Sequence, residues 1–236
     1  MSPHSSDNIL REIAQAISTA SGEEFFRRLA EALCQTLEAD FAFIGRLDAD
    51  DPNRIHVMAV CVRGEIGQNF SYHLHGTPCE NVVGREPCHY PRDIRNLFPE
   101  DHMLAEMGIE SYIGHPLFGS AQQPLGLLAV MHSQAMPDEE PAKSVLRICA
   151  SRAAAEIERL RAEETLRASE SRNRALLDAI PDLLFHIRAD GTYLDFKPAW
   201  DFPTYVPPSE FLGKNGACQS SAVEDLFLGY PERWVS

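Results

Sequence analysis

Residues 76–117 read GTPCENVVGREPCHYPRDIRNLFPEDHMLAEMGIESYIGHPL. Two cysteines, Cys79 and Cys88, stand here among histidines, aromatics and turn residues, and for most of the passage no helical or strand period is sustained. Alternation returns only at its end, Ser111-Tyr112-Ile113-Gly114-His115-Pro116-Leu117, which reads as a strand. Long irregular segments inside a compact domain are uncommon and usually functional. Loop and short helix laid over a sheet form the kind of wall that encloses a small-molecule pocket.

On the N-terminal side of this passage lie two helices and then strands. Leu10, Ile13, Ala14 and Ile17 recur at helical spacing. Ser21 reads as an N-cap with Glu24 completing a capping box, and Phe25, Leu29, Leu33 and Leu37 form the apolar stripe of the helix that follows. Phe41–Leu47, Ile55–Val62 and Phe70–Leu74 read as strands, with Asp50-Asp51-Pro52-Asn53 as a turn. On the C-terminal side a strand over Leu125–His132 follows the one ending near Leu117. Helix-helix-strands-irregular-strands-helix is an α+β order with an antiparallel sheet.

The motifs, in order, are Gly76-Thr77-Pro78-Cys79-Glu80, Cys88-His89-Tyr90-Pro91, Phe98-Pro99-x-Asp101-x-x-Leu104, Gly108-x-x-Ser111-Tyr112-x-Gly114-x-Pro116-Leu117 and Leu125-Gly126-x-Leu128-x-Val130. Taken together they resemble the GAF domains of bacterial sensor proteins, over roughly residues 9 to 160. The resemblance implies a GAF-like antiparallel sheet with helices and a regulatory pocket for a small ligand whose identity the residues do not name. Tyr72, Cys79, Cys88, His89, Asp93, Phe98, Tyr112 and His115 are the candidate pocket residues.

Two chemistries associated with such domains are weighed against the residues. Reductases of free methionine sulfoxide built on this fold place a cysteine in the region of Gly76–Glu80, so Cys79 is suggestive; their further cysteine would fall near Asp101-His102, where there is none. Bilin-binding relatives bond their chromophore through a cysteine in the region corresponding to Pro99–Gly108, which also lacks one, so covalent bilin is not expected. His73 and His75 stand two apart on a strand pattern, which would turn both to one side, but with Cys79, Cys88 or His89 they match no standard zinc spacing, and no metal is expected. Gly64-Glu65-Ile66-Gly67 has only superficial likeness to a phosphate cradle.

A net charge of −14 disfavours phosphate backbones and anionic membrane surfaces alike, so nucleic-acid and membrane partners are not expected. The start, MSPHSSDNILREI, has neither the basic nor the apolar stretch of a secretory signal, which makes the cytoplasm the expected location. The six cysteines form no C-x-x-C pair and are expected to be reduced thiols.

From Ala142 to Ile180 the chain has neither proline nor glycine and is rich in Ala, Glu, Arg and Leu, predicting one helix of about 55 Å. Val145, Ile148, Ile157, Leu160 and Leu166 are taken as its seam, with a slip in register between the last two, and a parallel homodimer is expected. Pro181 is expected to end it. Leu183–Arg188 and Thr192–Phe196 flank Asp190-Gly191, a hairpin signal. With Leu176–Asp182 and Phe211-Leu212-Gly213-Lys214 this resembles the opening of a PAS domain, about forty residues short of a complete one. The organisation expected is therefore a tail over 1–8, a GAF domain over 9–141, a helical linker over 142–180 and an incomplete PAS segment over 181–236. By resemblance the output of such a sensor is a histidine kinase or a diguanylate cyclase, and no enzyme activity is expected of these residues themselves; the alternatives are the reductase using Cys79 and a ligand-free dimerisation module.

Overall fold

The computed structural model describes residues 11–136, 140–179, 184–197, 209 and 212–215. Pro181, the first ten residues and most of the expected PAS segment lie outside them. The chain forms two compact units, Met1–Glu164 and Thr165–Ser236.

In the first unit the elements run α1 (11–17), α2 (Glu23–Thr36), β1 (Phe41–Leu47), β2 (Arg54–Val62), β3 (Glu65–Ile66), β4 (Ser71–His73), a 3₁₀ turn (Pro78–Asn81), β5 (Cys88–Tyr90), α3 (Ile94–Leu97), α4 (His102–Glu106), β6 (Ser111–Phe118) and β7 (Pro124–His132). The last helix, α5 (Glu140–Ala179), begins in this unit. The strands form one antiparallel sheet in the order β3-β2-β1-β7-β6-β5, with β4 paired to β2.

Two cores sit on the two faces of this sheet. Strand alternation assigns them: in β1, Ala42 and Ile44 join the first cluster, Phe41 and Phe43 the second. The first cluster holds Ile13 and Ile17 of α1, the stripe Phe25, Leu29 and Leu33 of α2, and Val145, Cys149, Ala153 and Ile157 of α5, all buried. The second is roofed by the 3₁₀ turn, α3 and α4 through Cys79, Ile94 and Leu104. Ile44 pairs with Ala59 and Gly45 with Val57, so Met58 is an extra residue. That bulge lets both Val57 and Val60 reach the second core, although they are three residues apart. Gly126 is required at the β1–β7 crossing: its φ is 154°, and a Cβ there would run into the Gly45 carbonyl oxygen.

The start of α2 corrects one expectation. Gly22, not Ser21, is the N-cap, and no side-chain cap bond is made. The Gly22 amide instead donates to the Glu156 carboxylate of α5 at 2.5 Å, so a long-range partner replaces the local capping box. The edge strands β3 and β5 are additions to the sequence reading, which left Cys88–Tyr90 within the irregular passage.

In the second unit β8 (Leu184–Ile187) pairs antiparallel with β9 (Tyr193–Lys197), as the Asp190-Gly191 signal predicts. Gly191 takes φ 90° and the Asp190 carboxylate accepts the Thr192 amide at 2.9 Å, closing the turn. Phe185 packs on Tyr193 and Phe196, and Gly213 and Lys214 exchange backbone bonds with Tyr193.

Candidate functional site

A cavity of about 250 Å³ lies on the second face of the sheet. Phe41 and Phe43 of β1, Val60 and Val62 of β2 and Met131 of β7 form its floor. The roof is Pro78 and Cys79 of the 3₁₀ turn with Asp101, Met103, Leu104 and Met107 on and beside α4. Gln68, Phe70 and Tyr72 close one side and Tyr112 of β6 another. The irregular passage thus contributes the roof, as its composition implies.

Three polar side chains meet at the inner wall. The Tyr112 hydroxyl donates to the Cys79 sulfur at 3.5 Å. Gly114, two residues on along the same face, leaves room for that phenol: a Cβ there would lie 2.8 Å from Tyr112 Cε1. The Tyr72 hydroxyl is shielded from solvent; the Cys79 sulfur is its polar neighbour, but it makes no hydrogen bond of good geometry among the described residues. Burial, and then the neighbouring Cys79, hold the Tyr72 phenol well above its usual range. Burial likewise pushes the Cys79 thiol up to about 11, so it is a protonated thiol at neutral pH. Asp101, half-buried at the start of α4, is raised by burial as well.

Of the eight expected pocket residues, Tyr72, Cys79 and Tyr112 line the cavity together. The other five stand elsewhere. Cys88 sits on β5 and donates to the Asn81 carbonyl at 3.4 Å. His89 Nε2 lies 2.9 Å from the Met136 carbonyl. Asp93 is the exposed, left-handed N-cap of α3, its amide donating to Glu110 at 3.1 Å. Phe98 packs edge-on against Tyr90 behind the cavity wall. His115 is turned away by parity: along β6 Ile113 and Leu117 belong to the helix-side core and Tyr112 to the other. His115 shares the side of Ile113, where burial and then Arg147 of α5 lower its pKa.

The paired histidines also separate. The strand ends at His73, so His75 is not on it; His73 lies 3.9 Å from Asp51 and His75 3.6 Å from Glu80, both well exposed. Among the described residues no three His, Cys, Asp or Glu side chains are grouped as a metal site would need. Gly64–Gly67 spans the short edge strand β3. The wall residues missed in the sequence, Phe41, Phe43, Val60 and Met131, carry a signal only in retrospect: they are the strand positions opposite those contacted by the helices.

The seam of α5 divides. Val145 and Ile157 are fully buried in the unit's own core and Leu160 packs against it, so these are not free to meet a partner. Ile148 and Leu166 are exposed.

Residues 21–157 match the family model of the GAF domain. No curated protein matches the chain. Among solved structures, it is similar to the GAF domain of an Acinetobacter phosphoenolpyruvate-protein phosphotransferase, at 20% identity and TM-score 0.56 over 70% of this chain and 99% of that one. The GAF domain of the corresponding Coxiella burnetii protein is 24% identical, with TM-score 0.55 over 69% and 98%. A phycoerythrobilin-bound GAF domain from a cyanobacterial phytochrome is 18% identical, with TM-score 0.51 over 67% and 97%. At these identities the likeness is one of fold.

Proposed function

This chain belongs to the GAF domain family, and from that premise we propose that it is the sensory part of a signalling protein, taking up a small molecule and relaying its presence along α5. One observation carries the reading. A cavity of about 250 Å³, with a solvent-shielded tyrosine hydroxyl in its wall that makes no well-formed hydrogen bond among the described residues, fits a receptor better than a filled core. Native mass spectrometry and an absorption spectrum of freshly purified protein test it. A retained small molecule, or a thermal transition raised by a library compound, is the expected result; a chain that retains none and responds to none removes the proposal.

The relay rests on α5 being one helix that packs on the sheet's first face and continues into the second unit. Its exposed positions Ile148, Ala155, Ala162, Ser169 and Leu176 recur every seven residues, and Leu166 and Asn173 form the companion row. That spacing supports a coiled-coil seam, and an asparagine in such a row favours a dimer in fixed register. A parallel homodimer through this face is the proposed assembly; sedimentation across a range of concentrations tests it, and a chain that stays monomeric sinks it. Hairpin β8–β9 supports a PAS-like segment after the helix. The output domain would be a kinase or cyclase of bacterial cytoplasmic signalling. Among the described residues no helix is long and apolar enough to cross a membrane.

The alternative reading as a methionine sulfoxide reductase has the state of Cys79 against it. A thiol buried to 5% exposure and raised to about 11 is not poised as a nucleophile.

A further inference from the structure

Resting on the receptor reading above, the chemistry of the cavity narrows its ligand. Among the described residues that line it, Asp101 is the one charged residue, and none is a lysine or arginine. A phosphate or carboxylate brought there would meet apolar walls and a carboxyl group with no cation among the lining residues to compensate, which costs binding energy. Cyclic nucleotides are disfavoured on that ground. Size disfavours tetrapyrroles. An apolar cavity of about 150 Å³ takes up benzene; at about 250 Å³ this one has room for two fused rings.

The walls say more. Phe41 and Phe43 present aromatic faces and edges, and Met103, Met107 and Met131 present thioethers. Both are favourable surroundings for a flat ring. Phe70 and Met103 are also exposed apolar side chains. The Tyr112 hydroxyl is already committed to the Cys79 sulfur. The Tyr72 hydroxyl has only that same sulfur as a polar neighbour and makes no well-formed hydrogen bond among the described residues, and an unsatisfied buried hydroxyl destabilises the free protein. Phe43 and Phe70 flank the Tyr72 ring at 6.3 and 6.0 Å, restricting where that hydroxyl can turn.

We propose that this cavity binds an uncharged, largely apolar compound of about two fused rings, held by a hydrogen bond that the Tyr72 hydroxyl, turning from the Cys79 sulfur toward the cavity, donates to a carbonyl or ring-nitrogen acceptor on the ligand.

Three probes and one substitution test this in the full chain. Coumarin is neutral, bicyclic and carries a carbonyl; coumarin-3-carboxylate adds a charge; naphthalene has the shape without the acceptor. Calorimetric titration is expected to show coumarin binding, coumarin-3-carboxylate binding at least about a hundredfold more weakly, and Tyr72→Phe weakening coumarin by about three- to tenfold, the worth of one neutral hydrogen bond. Tyr72→Phe should leave naphthalene binding unchanged. The same substitution should raise the Tm of the free protein by about 2–5 °C, because it deletes an unsatisfied group. Loss of ligand with gain of stability is a pair of effects that misfolding cannot produce. Tighter binding of the carboxylate than of coumarin, or of cyclic GMP with no binding of coumarin, overturns the ligand class and leaves the receptor reading standing. Unchanged coumarin affinity in Tyr72→Phe overturns the anchor. If none of the probes binds and the fresh protein releases no small molecule on denaturation, both readings fall.

Discussion

Glu156 is a carboxylate with 5% of its surface exposed, and its partners account for its place in the core. It accepts the Gly22 amide at 2.5 Å and the Arg159 guanidinium at 2.7 Å, so the charge that α5 carries inward caps α2. A buried carboxylate is tolerated when it is paired and hydrogen-bonded in this way. Glu156→Gln keeps the shape and removes the charge, and is expected to lower stability by about 1–3 kcal/mol at neutral pH. Arg159 first, and then the Gly22 amide, hold the Glu156 carboxyl below the usual glutamate range. Its folded pKa therefore lies below its unfolded one. The stabilisation is present above the ordinary value of about 4.3 and is lost as pH falls through the depressed one. Urea unfolding of both proteins from about pH 7 to about pH 3 should show the gap closing at the acid end. A gap constant across that range would mean the charge contributes nothing. No local signal announces this carboxylate, since Ser21 and Glu24 look like a sufficient cap by themselves.

At the level of elements, α5 explains why some features are legible in the sequence and others are not. Its apolar residues look irregular because two faces are superimposed. Val145, Cys149, Ala153 and Ile157 meet the sheet, whereas Ile148, Leu166 and Leu176 are exposed. Reading both sets as one seam produces the apparent slip between Leu160 and Leu166. The long strands β1, β2, β6 and β7 are legible because each carries seven to nine residues of strand pattern. The edges β3 and β5 have two and three residues, too few to show any period. Tyr72, Cys79 and Tyr112 line the cavity because motif and cavity coincide there. His115 is misplaced because a motif gives proximity in sequence and only strand parity gives the face. The two faces of α5 predict opposite outcomes for similar truncations. Ile157→Ala should cost about 2–5 kcal/mol by opening a core cavity. Leu166→Ala should change the stability of the dilute protein by no more than about 0.5 kcal/mol, yet weaken self-association. Chemical denaturation at low concentration, alongside sedimentation, reads both; equal destabilisation by the two would show that the faces are wrongly assigned.

For the molecule as a whole, the question is what keeps the distal part of α5 helical. Residues 162–177 are exposed all round, and their apolar members Leu166, Leu176 and Leu177 are at least half open to solvent. Helices of this length are marginal in water when no face is buried, whereas the sheet is held from both sides by its two cores. If a second copy covers the seam, the amides of residues 165–177 owe their protection to association. Hydrogen exchange at two concentrations spanning about a hundredfold should then show that protection rising with concentration, by up to the same factor as the dimer population. The amides of β1, β6 and β7 should stay unchanged, because their protection comes from within one chain. Ligand adds a second arm. A compound that fills the cavity beneath α4 should slow exchange in β1, β4 and α4 directly. If the signal is relayed, the same compound should also change exchange in residues 165–177, which are not among the residues lining the cavity. Exchange in that stretch that is insensitive to both concentration and ligand would leave α5 a passive tether, with the pocket reporting to nothing through it.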